Sequence, residues 1–318
     1  MYINAPAFSG ILALVLLIGF AGFQRSVVLD AHTMATEVVP YKLPSDPISH
    51  LIFLVEFYNA TDEATPVEIL GFINNLAVAD RGNSIINCNS EMLAALNLYL
   101  FGTGGIRQAP VSTDNQHEVY GLIIPMGRKL YDPADCYPGK KLGDVVLTLD
   151  TTVPTTTLDN ALISVTAVTL PGAGPTHHIK YTQQNVVAPG ATGVFSSGLA
   201  IGNDLLALMV GMTSFPGASE YLYGADDFEL MLDNRQEAVV SAKAPDLVVE
   251  MMNRVPASIR SIAAQAAMVP ATHLWLDFDP TRDGEFAIDT SAANDLKLRM
   301  NYGVNEALTI SQLELVTI

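Results

Sequence analysis

From about residue 24 onward, short apolar segments alternate with polar turn residues roughly every 8 to 12 positions. Residues 50–58 (HLIFLVEFY) are rich in β-forming side chains and bounded by turn residues, which predicts a core strand. Residues 72–79 and 84–88 predict two strands joined by a tight turn in which Gly82 takes a positive φ. Each half of the chain holds about eight such segments, a pattern typical of a β-sandwich or barrel.

The pattern of strands, turns and apolar positions occurs twice along the chain. Residues 26–57, 72–96 and 120–151 are matched, in the same order, by residues 179–212, 228–251 and 272–303. The paired segments start 153, 156 and 152 residues apart (26 to 179, 72 to 228 and 120 to 272), which is about half of the 318 residues. Solenoid repeats run only about 20 to 50 residues, so a period this long predicts two complete domains of one type.

The predicted fold is all-β: two tandem eight-stranded jelly-roll β-sandwiches, that is, a double jelly roll. We predict an N-terminal apolar helix or arm at residues 1–25, a first jelly roll at 26–170, a linker at 171–178 and a second jelly roll at 179–318. Short helices are expected in the loops. One follows Asn89 or Ser90, either of which can cap it, and another is predicted within residues 256–271.

Residues 8–23 (FSGILALVLLIGFAGF) form an uncharged apolar run unlike the rest of the chain. The run is short for a transmembrane helix, which needs about 20 residues, and it lacks the basic flank of a secretory signal. Two interpretations stay open: a helix that contacts a membrane or the inner side of an assembly, and a buried helix of the fold itself. The residues predicted to make the membrane or inner-shell contact are Phe8, Ile11, Leu12, Val15, Leu16, Phe20 and Phe23.

The composition favours a protein that buries surface against other subunits. Hydrophobic residues make up 49% of the chain and charged residues only 15%. The formal net charge of −17 argues against direct binding of nucleic acid, which requires a basic surface. The two cysteines, Cys88 and Cys136, make neither a disulfide framework nor a CxxC metal site, so buried free thiols are expected.

The sequence lacks the common catalytic motifs. It has no GxSxG of serine hydrolases and no HExxH of zinc proteases, and the adjacent His177 and His178 would point to opposite faces of a strand. We therefore predict no catalytic residues and no cofactor other than a calcium ion. For calcium, Asp279, Thr281 and Asp283 have the spacing of ligands in a calcium loop, although an Asp-Gly hairpin turn explains the same residues.

The order of these elements, with IPMGRKLYDP at 124–133 and LDFDPTRDGEFAIDTSAANDLKLRM at 276–300, resembles a known family. It is similar to the double jelly-roll major capsid proteins of tailless icosahedral viruses, which include tectiviruses, corticoviruses and related membrane-containing bacteriophages. The resemblance covers residues 26–318 and is one of architecture rather than of a short motif.

The resemblance implies a non-enzymatic structural protein of the virion, assembled in the host cytoplasm. Its copies would form pseudo-hexameric homotrimers that tile an icosahedral shell with neighbouring trimers and with minor capsid or penton proteins. The N-terminal segment would face the inner side of the shell or an internal lipid membrane, and no direct contact with nucleic acid is expected.

Two alternatives stay open. The first is a secreted two-jelly-roll protein that binds glycans or acts as a glycoamidase-type enzyme. Trp275 is the only tryptophan and lies in a predicted apolar strand, so a platform for stacking sugars is poorly supplied. The second is a minor capsid or spike protein of the same kind of virus, which the sequence does not distinguish from the major protein.

Overall fold

The computed structural model describes residues 22–60, 64–107, 114–153, 157–213, 223–233, 237–254 and 272–318. Within these ranges the chain forms eighteen strands and three helices, arranged as two β-sandwiches that share one sheet. The all-β double jelly roll predicted from the sequence is confirmed, with short helices in the connections. The predicted N-terminal helix and the predicted helix within residues 256–271 lie outside the described residues.

The first sandwich contains the strands from β1 to β9. They are β1 (Gln24–Thr33), β2 (Glu37–Lys42), β3 (Ile48–Asn59), β4 (Ile73–Asp80), β5 (Asn83–Cys88), β6 (Ile106–Arg107), β7 (His117–Pro125), β8 (Val145–Thr151) and β9 (Leu158–Thr169). One sheet has the order β1-β9-β3-β7-β6, and the other contains β2-β8-β4-β5. Helix α1 (Pro66–Gly71) connects β3 to β4, and helix α2 (Ser90–Phe101) follows β5.

The second sandwich repeats this plan. Its strands are β10 (His177–Val186), β11 (Gly193–Gly198), β12 (Asp204–Gly211), β13 (Ala225–Leu232), β14 (Val240–Lys243), β15 (His273–Asp277), β16 (Ile288–Asp289), β17 (Leu296–Tyr302) and β18 (Leu308–Thr317). The sheet orders are β10-β18-β12-β15 and β11-β17-β13-β14, and helix α3 (Ala244–Arg254) follows β14 as α2 follows β5. The two-residue strands β6 and β16 are edge additions to the eight strands predicted for each sandwich.

The two sandwiches are joined through a sheet. Strand β5 of the first pairs in parallel with β10 of the second, with Ile86 opposite Tyr181 and Asn87 opposite Thr182. This pairing makes one continuous sheet in the order β15-β12-β18-β10-β5-β4-β8-β2. Strand β10 begins at His177, so the two adjacent histidines lie in a strand rather than in the predicted linker at 171–178. The domain boundaries themselves stay predictions.

Local sequence explains the elements of the first sandwich. In β3 the side chains of Leu51, Phe53, Val55 and Phe57 alternate with less buried ones and are buried, as expected for a strand with one core face. The β4–β5 turn places Arg81 and Gly82 at φ values of 47° and 87°, which suits a tight hairpin turn.

Helix α2 has a side-chain cap at one end and a glycine cap at the other. The backbone N–H of Met92 donates to the Asn89 side chain at 2.8 Å, so Asn89 rather than Ser90 is the N-cap. The helix ends at Gly102, whose φ of 73° favours glycine because other side chains are strained there. Both ends of α2 are therefore fixed by local sequence.

The apolar interior consists of two clusters of unequal extent. The cluster inside the second sandwich is centred on residues such as Phe228, Leu298 and Ile310. The larger cluster fills the first sandwich and continues across helix α2 to the outer side of the second sandwich, where it includes Trp275. Cys88 and Cys136 are buried free thiols, as predicted, and burial raises the pKa of both.

Candidate assembly surfaces

Helix α2 lies between the two sandwiches and contacts both. It packs on β4 and β7 of its own sandwich and on β12 of the second. Toward the second sandwich, the Tyr181 hydroxyl donates to the Met92 carbonyl at 3.0 Å, and the Tyr99 ring packs edge-on against Trp275 at 5.6 Å. These contacts bury the outer face of the sheet that contains β12, and we call this contact the internal seam.

A charged network sits at one end of the internal seam. The Tyr99 hydroxyl donates to Asp277 at 2.5 Å, and the guanidinium groups of Arg254 and Arg282 also pair with Asp277. Arg282 stacks over the Tyr99 ring at 3.7 Å. Burial alone would raise the pKa of Asp277, but the hydrogen bonds from Tyr99 and Arg254 and the charge of Arg282 lower that pKa below its ordinary value. The carboxylate is therefore held ionised at the contact of the two sandwiches.

A second ion cluster joins the loop after β7 to the loop after β15. The Arg128 guanidinium pairs with Asp135 at 3.0 Å, and its Nη1 lies 3.6 Å from the carboxylate of Asp279. Asp279 is only 1% exposed and also accepts the backbone N–H of Gly284 at 2.7 Å. This cluster adds charge pairing to the apolar contact of the internal seam.

The predicted calcium residues have protein partners in this loop. Asp279 faces Arg128, a cation, which is unfavourable beside a bound metal ion. Asp283 accepts the backbone N–H of Glu285 at 2.9 Å and the Thr281 hydroxyl at 2.7 Å, and these bonds lower its pKa. Among the described residues no group of three or more His, Cys, Asp or Glu side chains is placed to hold a metal ion. Calcium binding by Asp279, Thr281 and Asp283 stays a prediction.

The outer face of the first sandwich's β1-β9-β3-β7-β6 sheet carries mainly apolar side chains that are only partly buried. One row across it runs from Val27 through Thr166 and Ile52 to Ile123, in register on four neighbouring strands. Ile52 and Leu54, with Gly121 opposite Leu54, lie at a pocket of about 620 Å³ bordered by helix α2 and β6. We call this the first-domain face. Contiguous apolar surface of this kind marks an interaction site.

Strands β1, β6, β2, β15, β11 and β14 lie at sheet edges among the described residues. Strand β1 pairs with β9 alone, and β14 pairs with β13 alone. An open edge presents backbone N–H and C=O groups that can pair with another strand. The edge of β1 borders the first-domain face, and the edge of β14 borders helix α3.

The predicted N-terminal contact residues are described at one position only. Phe8, Ile11, Leu12, Val15, Leu16 and Phe20 lie outside the described residues. Phe23 is 53% exposed, and its ring packs edge-on against Tyr131 at 5.1 Å. Among the described residues no helix is long and apolar enough to cross a membrane. Contact of this segment with a membrane or an inner shell stays a prediction.

The outer face of the second sandwich is polar along strand β13. In β13, Asp227 and Glu229 alternate with buried Phe228 and Leu230, and Glu229 pairs with Arg299 on β17.

Trp275, the residue that would stack on a sugar, is 1% exposed and enclosed by the internal seam. An aromatic stacking platform on Trp275 is therefore excluded.

The sequence alone does not identify the residues of the internal seam. Tyr99 lies 178 residues from Asp277 and 183 residues from Arg282 in the sequence. No local pattern brings residues this far apart together. One signal was available: helix α2 has almost no polar face, and a helix that is apolar all round is buried on all sides.

Comparison with solved structures shows the fold. No protein-family model matches the chain, and no curated protein matches it in sequence. The major capsid protein of Sulfolobus Turreted Icosahedral Virus superposes with a TM-score of 0.69 at 11% identity, over 93% of this chain and 97% of that one. The major capsid protein P2 of bacteriophage PM2 gives a TM-score of 0.60 at 13% identity, over 93% of this chain and 98% of that one. The protein VP54 of PBCV-1 gives a TM-score of 0.62 at 10% identity, over 93% of this chain and 94% of that one. The chain thus has the fold of double jelly-roll capsid proteins.

Proposed function

We propose that this chain is a structural capsid protein whose copies form the shell of an icosahedral virus. The observation that carries the proposal is the fold itself, which matches viral major capsid proteins over 93% of this chain and nearly the whole length of theirs. The half-exposed apolar first-domain face supports a protein that buries surface against neighbours. The role is structural, without catalysis, and the protein belongs to the virion.

The finer proposal is a homotrimer of pseudo-hexagonal outline, with six jelly rolls contributed by three chains. Two similar sandwiches in each chain support it, because three copies then present six related units around one axis. Neighbouring trimers and minor capsid or penton proteins would be the further partners. No described observation favours the alternative of a minor capsid or spike protein.

The glycan-binding and glycoamidase alternative is less well supported. Trp275, its candidate stacking residue, is buried between the sandwiches. The pocket of about 610 Å³ on the outer face of the β11-β17-β13-β14 sheet contains Glu229 and Arg299, which pair with each other. A glycan array probed with the purified protein provides the test, and we expect no binding.

The mass of the purified chain in solution tests the capsid proposal. We expect light scattering after size exclusion to give about 102 kDa, three times the 34.0 kDa of one chain. Electron microscopy of the same sample should show hexagonal particles or closed shells. A chain that stays monomeric at all concentrations, with no ordered particles, would contradict the proposal.

For the N-terminal segment we propose a position at the inner side of the shell or on an internal membrane. Its sequence supports this, because sixteen uncharged residues suit lying at an interface better than spanning one. Deleting residues 1–21 retains Phe23 and its contact with Tyr131. We expect the trimer to survive while shell assembly, or flotation with vesicles of anionic and zwitterionic lipid, fails. Unchanged assembly and flotation would contradict the role.

A further inference from the structure

A buried glutamate on strand β18 holds a lysine and an asparagine that come from the two flanking strands. Lys180 on β10 lies directly opposite Glu314, and its Nζ is 3.0 Å from Glu314 Oε2. Asn203, just before β12, donates from Nδ2 to Oε1 of the same carboxylate at 3.0 Å. The Glu314 side chain is only 2% exposed. One enclosed carboxylate therefore bridges an amine and a primary amide.

The register of the sheet explains why these three side chains meet. Strand β18 lies between β10 and β12, and Glu314 has Lys180 opposite it on one side and Leu205 on the other. Asn203 is two residues before Leu205, which makes it a diagonal neighbour of Glu314, and such neighbours lie about 7–8 Å apart, within reach of long side chains. The Asn203 carbonyl also accepts the Thr290 hydroxyl at 2.5 Å, which holds the backbone in place.

We propose that Lys180 and Asn203 become joined by an intramolecular amide (isopeptide) bond, with Glu314 as the acid–base group. A lysine amine is a nucleophile once it has lost its proton, and a carboxylate within hydrogen-bond reach can take that proton. Glu314 touches both reacting groups, which is the geometry this step requires. The reaction occurs once in each chain and turns over no substrate, so it goes beyond the structural role proposed above without replacing it.

The atoms and protons of this step balance without a further reactant. Glu314 Oε2 accepts a proton from the Lys180 ammonium, and the freed amine attacks Cγ of Asn203. The bond between Nζ and Cγ forms while the bond between Cγ and Nδ2 breaks, and the Glu314 carboxyl gives its proton to Nδ2, which leaves as ammonia. The carboxylate then takes the extra proton from the new amide nitrogen and passes it to the ammonia. Ammonium is released, and nothing is oxidised or reduced.

The first sandwich contains a similar buried glutamate that lacks the amine. Glu118 on β7 accepts from Asn59 Nδ2 at 2.7 Å and from Arg107 Nε at 2.6 Å. A guanidinium keeps its charge in proteins and does not supply a free amine, so no amide bond can form there. The chain thus provides an internal comparison: the same bridging carboxylate, with a cation that cannot react.

The bond would tie β10 to the start of β12 across β18. Strand β10 also pairs with β5 of the first sandwich, so the cross-link would lie in the sheet through which the two sandwiches are joined. A covalent link between distant residues restricts the unfolded chain, as a disulfide does. Lys180→Arg keeps a cation beside Glu314 but removes the amine, and we expect it to lower the midpoint of thermal unfolding by roughly 5 °C or more.

Mass spectrometry of the intact, purified chain tests the proposal directly. The bond lowers the mass by that of one ammonia, about 17 Da. Lys180 is the only lysine or arginine between residues 142 and 234, so trypsin cuts a denatured, unlinked chain into 142–180 and 181–235. A linked Lys180 resists cleavage, and residues 142–235 stay in one piece. Loss of ammonia at another asparagine would leave Lys180 open to trypsin.

Four variants of the full-length chain, each confirmed as folded by circular dichroism, complete the test. Glu314→Gln and Lys180→Arg should show the full mass of their sequences. Asn203→Asp should lose water, about 18 Da, in place of ammonia. The control Lys297→Arg, whose lysine pairs with Asp295 outside the site, should keep the loss of ammonia. An unmodified chain of full mass that is cut after Lys180, or a Glu314→Gln chain that still forms the link, would overturn the inference. The capsid proposal does not depend on either result.

Discussion

The two outer sheet faces of this molecule have the same topology but opposite surroundings. In the second sandwich the outer face of β12, β15 and β18 is covered by helix α2, and Met209, Trp275 and Leu313 are fully buried there. In the first sandwich the equivalent face carries Ile52, Leu54 and Ile123, which are only partly buried. The difference shows that the apolar character of a jelly-roll face does not by itself mean core. We infer that it identifies a contact, which is made inside the chain in one case and is not made by any described residue in the other.

The largest expected contrast between the two faces is in folding stability. Trp275→Ala removes a buried ring that packs on Tyr99 and should lower the free energy of unfolding by about 3–5 kcal/mol. Ile123→Ala on the half-exposed first-domain face should cost about 1 kcal/mol in the monomer. Urea unfolding measures the stability of both variants. It is followed by circular dichroism rather than by tryptophan fluorescence, because Trp275→Ala removes the only tryptophan of the chain. Equal losses would show that the two faces are equally buried.

A smaller loss is expected from the charged network of the internal seam. Asp277→Asn leaves Arg254 and Arg282 without their shared carboxylate and should cost about 2 kcal/mol, less than a fully buried pair because both arginines are partly exposed. Asp227→Asn, at a half-buried position on β13 that accepts from Asn301, is the matched control and should change stability by about 0.5 kcal/mol or less. The same urea experiment applies, and an effect at Asp277 no larger than at Asp227 would refute the structural importance of the network.

Acidification should weaken both sandwiches through one histidine in each. Burial lowers the pKa of the His50 and His178 imidazoles to about 4. The charge of Arg25 adds to this effect at His50, and the charge of Lys140 adds to it at His178. Between pH 6.5 and 4 the unfolded chain therefore binds protons that the folded chain does not, so stability falls as the pH falls.

Calorimetry at pH 7.5 and pH 5.5 measures this effect, and we expect the midpoint of thermal unfolding to drop by a few degrees at the lower pH. In the double variant His50→Gln with His178→Gln the drop should be reduced. An identical drop in the double variant and the unmodified chain would assign the effect to other groups.

The smallest effect concerns the helix that covers the second face. Asn89→Ala removes the side chain that accepts the backbone N–H of Met92 at the start of α2, at a cost of about 1 kcal/mol. Val249→Ala on α3 should change the unfolding free energy of the monomer by less than about 0.5 kcal/mol, because the side chain is exposed. Chemical unfolding at low protein concentration compares the two, and a larger loss at Val249 would mean that the face of α3 that carries Val249 is already covered in the monomer.

The repeat in the sequence predicted the strand plan because strand periodicity and turn residues are local signals. The repeat segments that start at residues 26, 72 and 120 contain strands β1, β4 and β7. Their partners in the second half contain the equivalent strands β10, β13 and β15. The hairpin at Gly82 and the helix after Asn89 were predicted for the same reason.

The internal seam could not be predicted in this way. Asp277 meets Tyr99 across 178 residues, and the parallel pairing of β5 with β10 leaves no mark in either strand. The sequence placed His177 and His178 in a linker, because the glycines and prolines before them indicate a turn but do not define where the next strand starts. The apolar first-domain face was likewise hidden, since a half-exposed apolar row has the same pattern as a buried one.

The short connection between β9 and β10 has a consequence for how assembly depends on the amount of protein. Only residues 170–176 separate the two strands, so the sandwiches are tethered, and a tether this short holds binding surfaces at millimolar effective concentration or above. In the proposed ring of six jelly rolls, every second contact would therefore be complete in each newly folded chain. Closing this ring would then require three chains to associate rather than six separate domains. The fraction of assembled protein would therefore rise less steeply with protein concentration.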